Sequence, residues 1–390
     1  MDRLKGRSSV SFLYLIKVFS FIGATSFGGY TALVSYVQKR LVDEAKLISE
    51  EELLDSVTIA SLLPGPLAVN VVANIGYSLR GWMGTVVSMA AVLSPSVLLM
   101  ILAAEFYQQF GDLETVGSFL SGIILAICAV IFSVVNKMSQ KNLKAWWQVV
   151  LAVIAATCLF FFKAYLVIVF LLVFGGVNGL FLSKVEASST SHKKTEPFPI
   201  WGALIIVGIA FAGIVIFDDT LLRQLIVVFS KVSVTLFGGG YVMIPVLYNL
   251  VVEQQNWVSP EAFSVAISLG QMTPGPILVS ATFVGYLVKG ISGGIISTAA
   301  IFLPSAIVMV LVSNRFEYLK SSNFFLRALQ GIRPVIIGLI AYSAVVIFLS
   351  DDFSFIRLFL AAVAGVLLIF TKINDFLLIL LFGCLGLIWL

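Results

Sequence analysis

Long apolar stretches separated by short polar turns recur along almost the whole chain: residues 85–104, 116–135, 145–162, 164–182, 200–217, 291–312, 325–349, 356–370 and 376–390. Each approaches the ~20 residues a helix needs to cross hydrocarbon. The pattern therefore predicts an all-α polytopic integral membrane protein. Apolar runs also occupy residues 10–37 and 53–79, but glycine pairs and a Pro-Gly-Pro sequence interrupt them, which predicts broken or re-entrant helices there. Composition agrees with this picture: 60% of residues are hydrophobic and 11% charged, against about 25% charged in soluble domains. A soluble protein is excluded, and no stretch is left for a large soluble domain.

The interruptions repeat. Phe19-Ser20, Thr25 and Phe27-Gly28-Gly29 recur 210 residues later as Phe229-Ser230, Thr235 and Phe237-Gly238-Gly239. At the same offset Ser49 and Glu51 meet Ser259 and Glu261, and Pro64-Gly65-Pro66 meets Pro274-Gly275-Pro276. One residue then drops out, after which Gly76-Tyr77, Gly81, Gly84 and Pro95-Ser96 meet Gly285-Tyr286, Gly290, Gly293 and Pro304-Ser305. The organisation expected is a first half over 1–183, a polar cytoplasmic linker over 184–199, a connecting transmembrane helix over 200–217 and a second half over 218–390.

The extra helix would invert the second half, and charge agrees. The loop 38–49 holds Lys39, Arg40 and Lys46, while its equivalent 248–259 holds no Lys or Arg; 105–115 holds none, while 314–324 holds Arg315 and Lys320. Basic residues collect on the cytoplasmic side, so equivalent loops fall on opposite sides, as in the inverted repeats of many secondary transporters. On this reading the N-terminus is cytoplasmic and 10–37 and 53–79 are re-entrant hairpins. A single broken helix crossing the membrane in each place remains the alternative. The basic start, residues 1–9, followed by an apolar run containing Lys17, reads as part of the mature protein rather than a signal peptide.

Proline inside an apolar helix removes a backbone donor and clashes with the preceding turn, and glycine permits the sharp turn and close backbone approach that follow. Unpaired backbone at membrane depth is tolerated only when buried in protein or facing a wet cavity. Four breaks at repeat-equivalent positions thus predict one central site. Helices beginning after Gly29, Pro66, Gly240 and Pro276 would point free N–H groups and positive dipole ends at an anion. The candidate binding residues are Thr25, Phe27, Gly28, Gly29, Ser61, Pro64, Gly65, Pro66 and Asn70 in the first half. In the second they are Thr235, Phe237, Gly238, Gly239, Gly240, Gln271, Thr273, Pro274, Gly275, Pro276 and Ser280. Lys17 and Lys231 join them as counter-charges, or else snorkel to the interface. Close helix packing is the other use of such glycines.

Other chemistry is not supported. The sole histidine, His192, lies in the polar linker, no carboxylate pair sits in the broken segments, and there is no P-loop. No metal, cofactor or catalytic residue is expected, and transport would be driven by a gradient, by exchange or by downhill flow. Cys128, Cys158 and Cys384 read as small buried hydrophobes. The net charge of +4 is scattered through loops, so no nucleic-acid partner is expected.

The two FGG turns, two PGP turns and paired Gly-Tyr segments resemble the chromate ion transporter family, in its long form with two homologous domains in one chain. Thr235-Leu-Phe-Gly-Gly-Gly-Tyr-Val-Met-Ile-Pro245 and the segment from Thr273 to Tyr286 carry the likeness most closely. After the first FGG this chain has Tyr30-Thr31-Ala32, where some members have proline and histidine. The resemblance implies secondary transport of an inorganic oxyanion, with chromate as the best-known substrate and sulfate as a related one. It implies a prokaryotic plasma (inner) membrane location, the lipid bilayer and a small anion as partners, and leaves a homodimer open.

Overall fold

The computed structural model describes residues 10–27, 29–111, 113–162, 164–183, 219–235, 240–313, 323–349, 354–371, 373 and 375–389. The linker 184–199, the connecting segment 200–217, Gly28, Phe237, Gly238 and Gly239 lie outside them. Every regular element among the described residues is helical. In the first half these are α1 (Phe12–Thr25), α2 (Gly29–Val37), α3 (Glu50–Leu62), α4 (Leu67–Phe110), α5 (Glu114–Asn142), α6 (Trp146–Phe161) and α7 (Tyr165–Leu182). The second half repeats the order with α8 (Thr220–Thr235), α9 (Met243–Tyr248), α10 (Pro260–Met272), α11 (Ser280–Ser313), α12 (Asn323–Phe348), α13 (Phe355–Phe370) and α14 (Asp375–Trp389). A π-helical stretch follows α2 at Gln38–Glu44 and α9 at Asn249–Gln254. Both stretches lead to a residue with φ of 50°, Lys46 and Asn256.

Five stretches of described helix are long and apolar enough to cross a bilayer: Leu67–Phe110, Thr115–Asn142, Tyr165–Leu182, Ile277–Ser313 and Leu326–Phe348. A straight helix of 44 residues would run about 66 Å, twice the hydrocarbon thickness. It does not run straight. Arg80 and Gly81 leave helical geometry (Gly81 φ 63°, ψ −154°), and so do Lys289 and Gly290 (φ 60°, ψ −151°). This backbone region is open only to glycine. The chain then doubles back: the Thr85 hydroxyl donates to the Ala73 carbonyl at 3.1 Å, and a Cβ on Gly76 would lie 2.5 Å from the Gly84 carbonyl oxygen. In the second half the Thr282 and Thr298 hydroxyls pair at 2.7 Å. The chain thus turns back on itself at Gly81 and again at Gly290.

Two compact units cut across the halves. One comprises α1 to α4, α8, most of α10, and α11; the other comprises α5 to α7, α9, the start of α10, and α12 to α14. In the second unit α12 packs on α5, α6 and α7, while α14 packs on α5. Small residues permit this: Gly331 meets Gly175 and Gly179, and Gly122 meets Gly386, with backbones in contact. Cys128 is buried here, Cys158 is half-buried and Cys384 is exposed, so burial as expected from sequence holds fully only for Cys128.

In the first unit α1 packs on α4, α8 on α11, and α4 on α11. Ser49 and Glu52 close a capping box at the start of α3, at 3.2 and 3.0 Å. The Tyr286 hydroxyl donates to the Glu105 carboxylate. Tyr286 stands four residues before the Gly290 turn, and Glu105 stands 24 residues after the Gly81 turn, about 36 Å along the helix. The two hairpin ends thus lie near opposite ends of the part of α4 that follows Gly81.

Candidate functional site

The first break begins where α3 ends. Leu63 is extended (φ −96°, ψ 159°), as the residue before a proline must be. Gly65 takes φ of +111°, and Gly275 in the second break takes +107°. Pro66 then caps α4, and Pro276 caps a single 3-10 turn, Ile277–Val279, that runs into α11, neither with a side-chain cap bond. The first N–H groups of those helices are the donors that a helix start leaves unpaired.

The two breaks are seated reciprocally, each against a Pro-Ser step of the other half. A Cβ on Gly65 would lie 2.2 Å from the Ser305 Cβ, so the first turn rests on the step after Pro304. A Cβ on Gly275 would lie 2.6 Å from the Ser96 Oγ, and the Ser96 hydroxyl donates to the Pro274 carbonyl. The Gly275 N–H donates to the Ser26 carbonyl at 3.0 Å. Prolines 95 and 304 open the helices at these steps, and serines take up the carbonyls they release. Ser94 donates to the Ala91 carbonyl at 3.0 Å and Ser230 to the Ala300 carbonyl at 3.4 Å. Ser96 and Ser305 each stand 15 residues beyond their hairpin end, about 22 Å along a straight arm, so the seats lie part-way along the arms rather than at their ends.

Buried polar atoms gather at these breaks. Ser26, Asn70 and Ser280 are fully buried, and the Ser26 Oγ, the Asn70 Oδ1 and the Ser280 Oγ have no hydrogen-bond partner among the described residues. The Asn70 Nδ2 donates to the Pro64 carbonyl at 3.1 Å. Ser280 occupies the position 210 residues after Asn70. Groups buried this thoroughly are normally satisfied, so each of these atoms beside a break would be completed by a polar ligand or a water.

Among the other candidates, Gly29 starts α2, and a Cβ on Gly240 would lie at van der Waals distance from Ile277 and Leu278. Gln271 and Thr273 are half-buried, with the Thr273 hydroxyl on the Gly270 carbonyl at 3.2 Å. Thr25 and Thr235 turn their hydroxyls onto the carbonyls of Phe21 and Lys231, both at 2.8 Å. Ser61 is exposed and bonds the Thr58 carbonyl at 2.7 Å. Phe27, Lys17 and Lys231 are exposed on the chain surface. Sequence reasoning did not select Ser26, Ser96 or Ser305. The repeated Pro-Ser step was a signal for two of them, since a repeat that preserves a serine beside a helix-breaking proline preserves its hydroxyl as well.

At the hairpin ends the halves differ. Lys289 pairs with Asp219 at 2.8 Å, and this bond, with the N–H groups of Leu222 and Leu221, holds the Asp219 carboxyl below its usual range. Arg80 instead lies over the Phe12 ring at 4.3 Å. A groove of about 310 Å³ between α4 and α11 is lined by Val86, Met89 and Leu93 and by their repeat equivalents Ile295, Thr298 and Phe302. Its walls are almost wholly apolar, unsuited to an anion.

The family model described as "Chromate transporter" matches this chain twice, over residues 13–180 and 223–387. An uncharacterized transporter of Methanocaldococcus jannaschii is 29% identical, the alignment covering 99% of this chain and 96% of that protein. A chromate transport protein of Cupriavidus metallidurans is 27% identical over 93% of this chain and 89% of its own length. One of Pseudomonas aeruginosa is 24% identical over 86% and 81%. No solved structure matches the chain.

Proposed function

We propose, from the premise that this chain belongs to the chromate transporter family, that it is a secondary transporter of an inorganic oxyanion, chromate or the related sulfate, bound where the two Pro-Gly-Pro turns meet the Pro-Ser steps. The carrying observation is the set of fully buried, unpartnered polar atoms on Ser26, Asn70 and Ser280 beside two helix starts that lack side-chain caps. A helix start alone attracts anions weakly, by about 0.3 to 1 kcal/mol at exposed sites. Two starts beside buried hydroxyls, within a low-dielectric interior, hold an anion more firmly. The exposed Lys17 and Lys231 fit the counter-charge role less well than the snorkelling one.

The same geometry supports inverted repeats. Hairpin ends at opposite ends of one helical arm, repeated backbone breaks and the loop charge pattern together support halves of opposite orientation, with the N-terminus cytoplasmic and the protein in a prokaryotic inner membrane. Seats part-way along the arms agree with binding near the bilayer midplane. The direct test is initial-rate flux of labelled chromate and sulfate by the purified full chain in proteoliposomes, under imposed proton, sodium and counter-anion gradients. Saturable flux of either anion is expected. Flux no greater than in empty vesicles would end the reading. For orientation, single cysteines in the loops 38–49 and 248–259 should label from opposite sides with an impermeant thiol reagent.

A further inference from the structure

The Asn70 amide has only one orientation its surroundings allow. The Pro64 carbonyl is an acceptor with nothing to donate, so the amide atom 3.1 Å away is the Nδ2. A flipped amide would set two acceptors against each other. Its Oδ1 is thereby fixed as the other atom of the amide: an acceptor, fully buried, with no donor among the described residues. The second half answers differently. Ser280 at the equivalent position has a hydroxyl that rotates to donate or to accept, and so has Ser26.

A bare dianion presents acceptors on every side. Against the Ser26 and Ser280 hydroxyls and the helix N–H groups that is favourable, but against the Asn70 Oδ1 it sets lone pair against lone pair. The geometry points to a ligand that itself donates one hydrogen bond to Asn70: a monoprotonated tetrahedral oxyanion, XO3(OH)−, taken in preference to the dianion XO4 2−. This deepens the oxyanion reading of the same site and rests on it. Chromate takes up a proton near neutrality, whereas sulfate and selenate do so only in strong acid. Selenate is close to chromate in size and shape, so the two differ chiefly in the proton that Asn70 requires.

The protein's own titratable groups do not replace that proton. Pro64 and Gly65, which touch the Asn70 side chain, carry none. On the elements packed against α4, α1 carries Lys17, α3 carries Glu50, Glu51, Glu52 and Asp55, α11 carries Lys289, and α2 carries no charge. Lys17 is exposed, Lys289 is paired with Asp219, and none of these groups hydrogen-bonds Asn70.

The test uses the full chain in proteoliposomes, with equal pH on both sides stepped from about 6 to about 8 and with chromate or selenate below saturation. Chromate flux should fall close to tenfold per pH unit once the dianion dominates, and selenate should move at least about tenfold more slowly than chromate at the acid end. Asn70→Ser, which gives the first half the hydroxyl of the second, should raise selenate flux relative to chromate and flatten the chromate profile. Should that variant fail to insert, the wild-type comparison of the two anions still decides. Equal rates for both anions with a flat profile, as when a bound water satisfies the Oδ1, would overturn the inference while leaving oxyanion transport intact. Flux that needs sodium at fixed pH and loses that need in Asn70→Ser would overturn it too, by placing a cation at the Oδ1. If neither anion moves, it is the transport reading itself that fails.

Discussion

The two Pro-Gly-Pro turns have nearly the same backbone and different surroundings. Gly65 and Gly275 differ by only 4° in φ, at +111° and +107°, and each rests on a Pro-Ser step from the other half. Around Gly65, however, the Ser305 Cβ and Oγ and the Asn70 Nδ2 all fall within 3 Å of a would-be Cβ, whereas around Gly275 only the Ser96 Oγ does among the described residues. The first turn is followed by an asparagine whose amide is committed to a carbonyl, the second by an uncommitted serine. The scaffold has been held in both halves while the polar chemistry has diverged, so backbone and side-chain changes should behave differently. Backbone defects should be nearly equivalent between halves, and side-chain defects should not.

The largest effects should come from filling the turns. Gly65→Val and Gly275→Val force a β-branched residue into a left-handed conformation it rarely adopts and against a buried serine, and both should abolish flux at matched expression. Alanine separates the turns. Gly275→Ala meets one hydroxyl that can rotate, at the loss of its bond to the Pro274 carbonyl, whereas Gly65→Ala meets a serine Cβ that cannot move without its helix. Gly65→Ala should therefore lose flux and thermal stability while Gly275→Ala retains part of both. Equal behaviour of the alanine pair would show that crowding does not decide the outcome.

The hairpin ends sharpen the same comparison at smaller amplitude. Gly81 and Gly290 share φ near +60° and have no described residue within 4 Å of a would-be Cβ, so alanine there introduces strain without a clash, about 1 to 3 kcal/mol. Gly81→Ala and Gly290→Ala should lower the melting temperature in detergent by similar amounts, with flux at low temperature largely kept. A large difference between them would mean that the two hairpins are not equivalent in stability.

Much of this arrangement could be read from the sequence, because its strongest signals are backbone signals. Glycine and proline act through φ and the missing N–H, wherever they sit, so the breaks at Gly65 and Gly275 were legible once the repeat was found, and Gly81 and Gly290 were matched by the same repeat. The family was legible for the same reason: its motifs are these breaks. The seats were not legible. That Ser96 meets Pro274 and Ser305 meets Gly65 depends on residues 178 and 240 apart in the chain coming together, and no local periodicity encodes that. Side-chain commitment was hidden as well. Thr25, Thr235 and Ser61 looked like ligands by proximity to a break, yet each spends its hydroxyl hydrogen on a carbonyl of its own helix. Lys17 and Lys231 stood out as charges in apolar runs, but which face of a helix they occupy follows from packing.

The threonines give the smallest expected effect and the closest test of that commitment. A threonine hydroxyl has one hydrogen, and in Thr25 and Thr235 it goes to the carbonyl four residues back, at 2.8 Å in both. What remains toward any ligand is oxygen lone pairs, which an anion does not seek. Valine has nearly the same shape, and losing the back-bond removes an interaction that tends to bend helices rather than hold them. Thr25→Val and Thr235→Val should therefore keep oxyanion flux within about tenfold of the parent, the equivalent of at most about 1.5 kcal/mol for one hydrogen bond. The two should resemble each other, since their commitments are the same in both halves. The measurement is initial-rate flux at matched expression beside the Gly65→Val and Gly275→Val chains. Threonine variants that lose transport while the glycine variants keep it would show that recognition runs through side chains, and the broken-helix site would have to be abandoned.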